Sequence, residues 1–374
     1  MLFVKTEDLK PGMRLAKPIY NKNGVMLYER NSKITSQGII SVENFGLIGI
    51  YVLEPAEPVP PMSEDDIEFE RFQTMSIFMI REILDAYSNE EKDDNMYQFI
   101  NQLLKKYGSL HHKINFIQNL RSNDDYVYKH SLNTAILCAL ISNKLGLDFK
   151  SQLDLVAAAL LHDIGGLSIP AQLRKKKTEE LMADEGRKIV LSYQSSWQAL
   201  KNNSDLSPDI RRLLTVLIPI LHPDMPGAPN KVSEILSVEI LKVAYYFDNM
   251  TAMKFGAEPL SEIAAVRYLI DHTDEFDKKV VDALLNSVNI LSPGVCVEFT
   301  NGDKGLVVTA NESNVLEPFV LSFKDNRLYN LGDSAVARSM QIKDIMKTMD
   351  NRHVVDSNLF QQYTGNTLHM GEKI

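Results

Sequence analysis

"LLHDIGGLSIP", Leu160 to Pro170, closes an apolar run with an adjacent histidine and aspartate and then sets two glycines where the chain must turn. An imidazole beside a carboxylate offers two donors to a metal ion, and a carboxylate can bridge two cations that act together on a phosphate ester. The dipeptide alone is a weak signal, because it arises often by chance. His130 strengthens it: in "DDYVYKHSLNTAIL" it opens another apolar helix, 32 residues before His162. Two helices joined by a short loop would bring His130, His162 and Asp163 together.

Outward from that stretch the pattern is helical from Asp66 to about Leu291. Apolar residues recur three and four apart in "IEFERFQTMSIFMIREIL", "YQFINQLLKKY", "LNTAILCALISNKLGL", "LDLVAAALLH" and "VSEILSVEILKVAYYF". Before it, residues 1–55 read as a small α+β domain, with strands around Met13–Ala16 and Gly24–Leu27, a helix over Ser36–Phe45 and a closing strand in "LIGIYVLEP". An acidic, proline-rich linker, "EPAEPVPPMSEDD", follows and leads into connecting helices up to residue 115. The helical domain proper spans 116–291. "VCVEFT", "GLVVTA" and "PFVLSF" then alternate like strands of a small β subdomain over 292–345, and 346–374 reads as a loosely held tail. The expected class is mainly α, a helical bundle between two small β-containing modules. A chain of 374 residues exceeds one ordinary core, which agrees with two or three domains.

Composition narrows the function. A net charge of -9 excludes general affinity for a nucleic-acid polymer, which needs a basic surface to displace counterions. No run approaches the roughly 20 apolar residues of a membrane span, and the first residues lack the apolar core of a signal peptide, so the expected place is the cytoplasm with no membrane partner. Cys138 and Cys296, both among apolar residues, read as separate thiols in a reducing compartment. No glycine-rich phosphate loop and no internal repeat is visible. "RKKK", Arg174 to Lys177, reads as the solvated entry to a helix, and Trp197, the single tryptophan, as a packing residue.

"DDYVYKHSLNTAILCALISNKLGL" followed by "AAALLHDIGGLSIP" resembles the HD-GYP branch of the HD-domain metal-dependent phosphohydrolases, whose members hydrolyse the bacterial messenger cyclic-di-GMP. "LKPGMRLAKPIY" and "NGVMLYERNSKITSQGIISVENFGLIGIYV" are similar to a small domain often fused to these proteins. "EFDKKVVDALLNSVNILSPGVCVEFTNGDKGLVV" resembles their closing helix and β extension. The resemblance covers most of the chain. It implies an HD-type bundle, a divalent cation (iron, manganese or zinc), a cyclic dinucleotide as ligand, and His130, His162 and Asp163 as metal ligands, with Asp163 also orienting the attacking water.

The chain departs from that pattern in four segments. Gly166 stands where the family has a lysine, and Met182 or Ala183 where it has a histidine. Against the segment of two histidines and a glutamate, "PILHPDMPGAP" sets Pro219, Ile220 and Leu221, with His222 able to serve only after a shift of register; the tyrosine of the name motif is Ala228. "VAYYFDNMT" places Tyr245 at a ligand aspartate and keeps Asp248 one helical turn on, and Lys254 is the single basic remnant of an arginine-rich signature that would hold substrate. The resulting expectation is a signalling protein impaired in catalysis, a nucleotide sensor or protein-interaction module. Its donor set is reduced to His130, His162 and Asp163, with His222 and Asp248 as recruits, and it carries one weak cation or none. The alternative is an active phosphodiesterase using the same residues; a third reading makes the helical core a spacer between docking modules. Expected partners are a cyclic dinucleotide, other proteins and a second copy of the chain.

Overall fold

The computed structural model describes residues 2–20, 25–53, 63–176, 178–225, 235–252, 258–311 and 314–346. The linker at 54–62, the Ala228 motif, Lys254 and the expected tail from 347 onward lie outside the described residues.

The N-terminal unit contains β1 (Leu2–Lys5), β2 (Arg14–Leu15), β3 (Ile19–Tyr20), β4 (Met26–Tyr28), α1 (Ser36–Asn44) and β5 (Gly49–Leu53). β5 lies between β1 and β2 in an antiparallel sheet, and β3 pairs with β4. The Thr35 hydroxyl accepts from the Gly38 amide at 3.0 Å, which starts α1 by satisfying one of its unpaired N–H groups. Val4, Leu15, Ile19, Ile34, Val42 and Ile50 form this unit's own core.

The helical part comprises α2 (Glu64–Ser88), α3 (Met96–Tyr107), α4 (Tyr126–Lys144), α5 (Phe149–Leu161), α6 (Ala171–Arg174), α7 (Ala183–Asn202), α8 (Pro208–Leu221), α9 (Leu236–Thr251), α10 (Glu262–Asp271) and α11 (Lys278–Leu285). α2 starts at a reciprocal cap in which Ser63 and Asp66 bond each other's amides. Phe69, Ile80 and Leu84 of α2 and Phe99, Ile100 and Leu103 of α3 join the same core as α4 and α5. Leu132 through Ile141 are buried on every side, as expected of a helix at the centre of a bundle. The turn after α4 uses Gly146 at φ +71°, a conformation open to glycine at little cost, and Asp148 then caps α5 through the Ser151 amide. This hairpin folds the start of α4 back against the end of α5, and α9 packs on another side of α4.

β6 (Cys296–Phe299), β7 (Lys304–Thr309), β8 (Phe319–Ser322), β9 (Leu328–Asn330), α12 (Ser334–Ala337) and β10 (Ile342–Ile345) complete the described chain. Their antiparallel sheet runs β10-β6-β7-β8-β9. Val297, Phe299, Val307 and Val320 extend the bundle core, whereas Leu306, Val308 and Leu321 form a small cluster on the other face, the two-residue alternation of a strand. Both cysteines are free. No helix among the described residues is long and apolar enough to cross a membrane.

Candidate metal centre

The α4–α5 hairpin sets His130 Nε2 3.3 Å from His162 Nε2, both rings almost wholly buried. The backbone and a carboxylate decide their protonation. His162 Nδ1–H donates to the Ala159 carbonyl at 2.7 Å, and His130 Nδ1–H donates to Asp248 Oδ2 at 2.6 Å. Both acceptors lack a proton, so in the neutral rings the two Nε2 atoms carry lone pairs that face each other. Such a pair repels unless a cation lies between. The spacing suits two imidazole nitrogens about 2.0–2.1 Å from one shared ion at a near-tetrahedral angle. Burial, reinforced by the neighbouring His130 ring, pushes His162 down to about 4, which keeps it neutral and able to coordinate near neutral pH.

Asp248 is committed elsewhere. Both its oxygens accept from Arg121 Nη2, at 2.7 and 2.8 Å, and Oδ1 also accepts from Gln118 Nε2 at 3.0 Å and Asn133 Nδ2 at 2.9 Å. Burial raises this carboxyl's pKa, yet the Arg121 charge and the hydrogen bond from His130 outweigh it and hold Asp248 well below the usual range. The result is a fully buried Arg121–Asp248–His130 chain in which the carboxylate orients an imidazole from behind, the arrangement of a supporting residue rather than a ligand.

Aromatic rings fill the space around the histidines. The Tyr245 ring meets His130 edge-on at 5.0 Å between centroids and His162 at 5.5 Å, and Tyr126 stacks on His130 at 5.8 Å. From α7, Tyr193 donates its hydroxyl to Asp163 Oδ1 at 2.9 Å and stacks on His222 at 3.7 Å. Burial pushes the Tyr193 and Tyr245 phenols well above their usual value, so both remain neutral. A Cβ on Gly166 would lie 2.7 Å from Val127 Cγ2 and 3.3 Å from the Tyr193 hydroxyl, so the volume a side chain there would need is occupied.

Of the predicted site residues, His130 and His162 meet, Asp163 follows His162 in the chain, and Tyr193 connects Asp163 to His222. His222 caps the C-terminus of α8 with its Nε2 buried and without a hydrogen-bond partner. Its ring faces Tyr193. Pro219 and Leu221 are buried apolar packing, and Met182 is 60% exposed at the start of α7. Among the described residues no three His, Cys, Asp or Glu side chains are grouped to hold a metal ion. Among the described donors a cation pair therefore does not fit; one ion between His130 and His162 does. The basic run is structural in its described part: Arg174 donates to the Asn123 carbonyl at 3.3 Å, and Lys176 pairs with Glu185 at 2.6 Å. Trp197 donates to the Thr215 carbonyl at 3.2 Å and joins α7 to α8. Sequence reasoning missed Arg121, Gln118, Asn133 and Tyr193. The first two lie in a segment without apolar periodicity, where nothing marks a buried charge.

Residues 127–274 match the HD domain family, the stretch that begins beside His130 and ends beyond α10. Over 200 residues the chain is 30% identical to the cyclic di-GMP phosphodiesterase PdeB of Borreliella burgdorferi, covering 52% of each protein. The chain carries a stretch similar to HD domains. A second relative, the cyclic di-GMP phosphodiesterase PA4108 of Pseudomonas aeruginosa, is 23% identical over 212 residues, 54% of this chain and 49% of that one. The chain thus spans about half the length of the curated relatives it matches. Among solved structures, Bd1817, an HDG"Y"P protein of Bdellovibrio bacteriovorus, superimposes with a TM-score of 0.46 at 13% identity, covering 76% of this chain and 97% of that one.

Proposed function

We propose that this chain is a signalling module of the HD-GYP, cyclic-di-GMP phosphodiesterase type that is impaired in catalysis and kept for binding. The observation that carries this reading is the exchange at α9. Tyr245, at the position of a family ligand carboxylate, lays its ring against both histidines, and Asp248 is spent on Arg121 and His130. Two cations acting on one phosphodiester need more donors than His130, His162 and Asp163 supply. Tyr193 and Val127 fill space next to Asp163 and Gly166, so ligand loss and infilling coincide.

The test is turnover by the purified full chain with cyclic-di-GMP and manganese or ferrous iron. The expected result is no linear or mononucleotide product above that of Asp163→Ala; sustained product abolished by that substitution would refute the proposal. The same sample separates two forms of the binding role. A ligand selective for the folded state at 100 times its Kd stabilises by about 2.7 kcal/mol, so a rise in Tm with excess cyclic-di-GMP supports a nucleotide sensor, and an unchanged Tm leaves a protein partner as what the module binds. A second reading, a phosphodiesterase with a single cation, draws support from the 3.3 Å approach of the two Nε2 atoms.

A further inference from the structure

We infer that the small N-terminal domain is a handle on the His130–His162 pair, acting through the strip Gln118 to Ser122. The strip lies between α3 and α4 without regular secondary structure of its own, so its position is set by what grips it from either side. From outside, the N-terminal domain takes hold of its backbone. Lys17 Nζ donates to the Gln118 carbonyl, the Ile48 amide donates to the Arg121 carbonyl at 3.2 Å, and Leu47 bridges to Ser122. Leu120 packs into the N-terminal core. From inside, the side chains of the same two residues hold the site. Gln118 donates to Asp248 at 3.0 Å and to Thr251 at 2.9 Å, and Arg121 clamps Asp248, which in turn orients His130 at 2.6 Å.

Gln118 and Arg121 thus each bind the domain through a carbonyl and the site through a side chain. The span from Lys17 or Ile48 to the His130 ring is a continuous series of hydrogen bonds: carbonyl of 118 or 121, its own side chain, Asp248, imidazole. Arg121 Nη1 is buried without a hydrogen-bond partner, so the guanidinium does not use its full set of donors in this arrangement. Any event that lifts the N-terminal domain removes the outer grip on both residues at once and frees Asp248 to release the His130 ring. The inference takes the site of the proposed function as its ground but not its loss of turnover. Turnover by the native chain would overturn that reading and leave this one standing.

The experiment uses the full chain with 15N-labelled histidine, in native form and with Lys17→Met, Leu120→Asp and, as a control on an exposed residue of the same domain, Lys10→Met. Amide exchange at Ile48 reports the domain contact, and the ring-nitrogen signals of His130 report the site. Lys17→Met and Leu120→Asp are expected to speed exchange at Ile48 about tenfold, the ratio that losing one hydrogen bond and its packing allows, and to shift the His130 signals, while Lys10→Met changes neither. Three results would overturn the inference: Ile48 opening with His130 unmoved, His130 shifting with Ile48 still protected, or neither variant opening Ile48.

Discussion

Asp248 shows how a single residue's role turns on what stands behind it. It lies one turn beyond Tyr245, and in the fold that turn faces Arg121, so the carboxylate neutralises a wholly buried guanidinium and orients His130. Asp248→Asn leaves that charge without its counterion, and removing one member of a buried pair typically costs about 3–5 kcal/mol. A denaturant midpoint in metal-free buffer should fall accordingly. A change under about 1 kcal/mol would mean that the carboxylate is an ordinary polar group of the kind whose loss is cheap. The meeting of His130 and His162 was legible in sequence because the 32-residue spacing of two apolar helix ends is itself a signal. Arg121 was not, since burial of a charge in an irregular segment leaves no period to read.

The elements that enclose the site leave no room for a longer side chain at Gly166. The turn after α5 brings Gly166 under Val127 of α4 and Tyr193 of α7, and these three residues share one volume. Gly166→Lys forces a side chain into it, and overpacking of this kind costs about 1–3 kcal/mol. The variant should melt lower than the native chain and gain no phosphodiesterase activity. Adding Val127→Ala should recover part of the loss, whereas additive effects of the two substitutions would show that they do not share space. Helices α4, α5 and α9 and the strands of the β extension were readable because each carries an apolar face at the period of its own geometry. The contribution of α7 was hidden for the opposite reason. Leu200 is its single fully buried residue, so the helix has a weak apolar stripe and reaches the site through the polar tip of Tyr193.

At the scale of the whole molecule, the N-terminal domain and the bundle meet around Lys17. Burial pushes this lysine from the usual 10.5 down to about 8, against the opposing pull of Glu70 and Glu262. The sign follows from proton counts. Below pH 8 the folded and unfolded chains both hold the proton and the cost of burying the charge is present in full; between pH 8 and 10.5 the unfolded chain holds a proton that the folded one has released, so stability rises with pH, by at most about 3 kcal/mol. The neutral amine still donates to Gln118. Denaturation at pH 7.5 and pH 10 should show this rise in the native chain and a smaller one in Lys17→Met; equal slopes would place the lysine in water. The proline-rich and glycine-bearing stretches suggest joints in the sequence, but the way the N-terminal domain grips the strip before α4 was not visible there, because those contacts run through backbone carbonyls that any residue supplies. The account as a whole rests on how many cations His130, His162 and Asp163 can hold, and the direct measurement is the metal content of the full chain after equilibrium dialysis against manganese, iron or zinc. It predicts no more than one ion per chain, lost in His162→Ala; two firmly held ions per chain would contradict it.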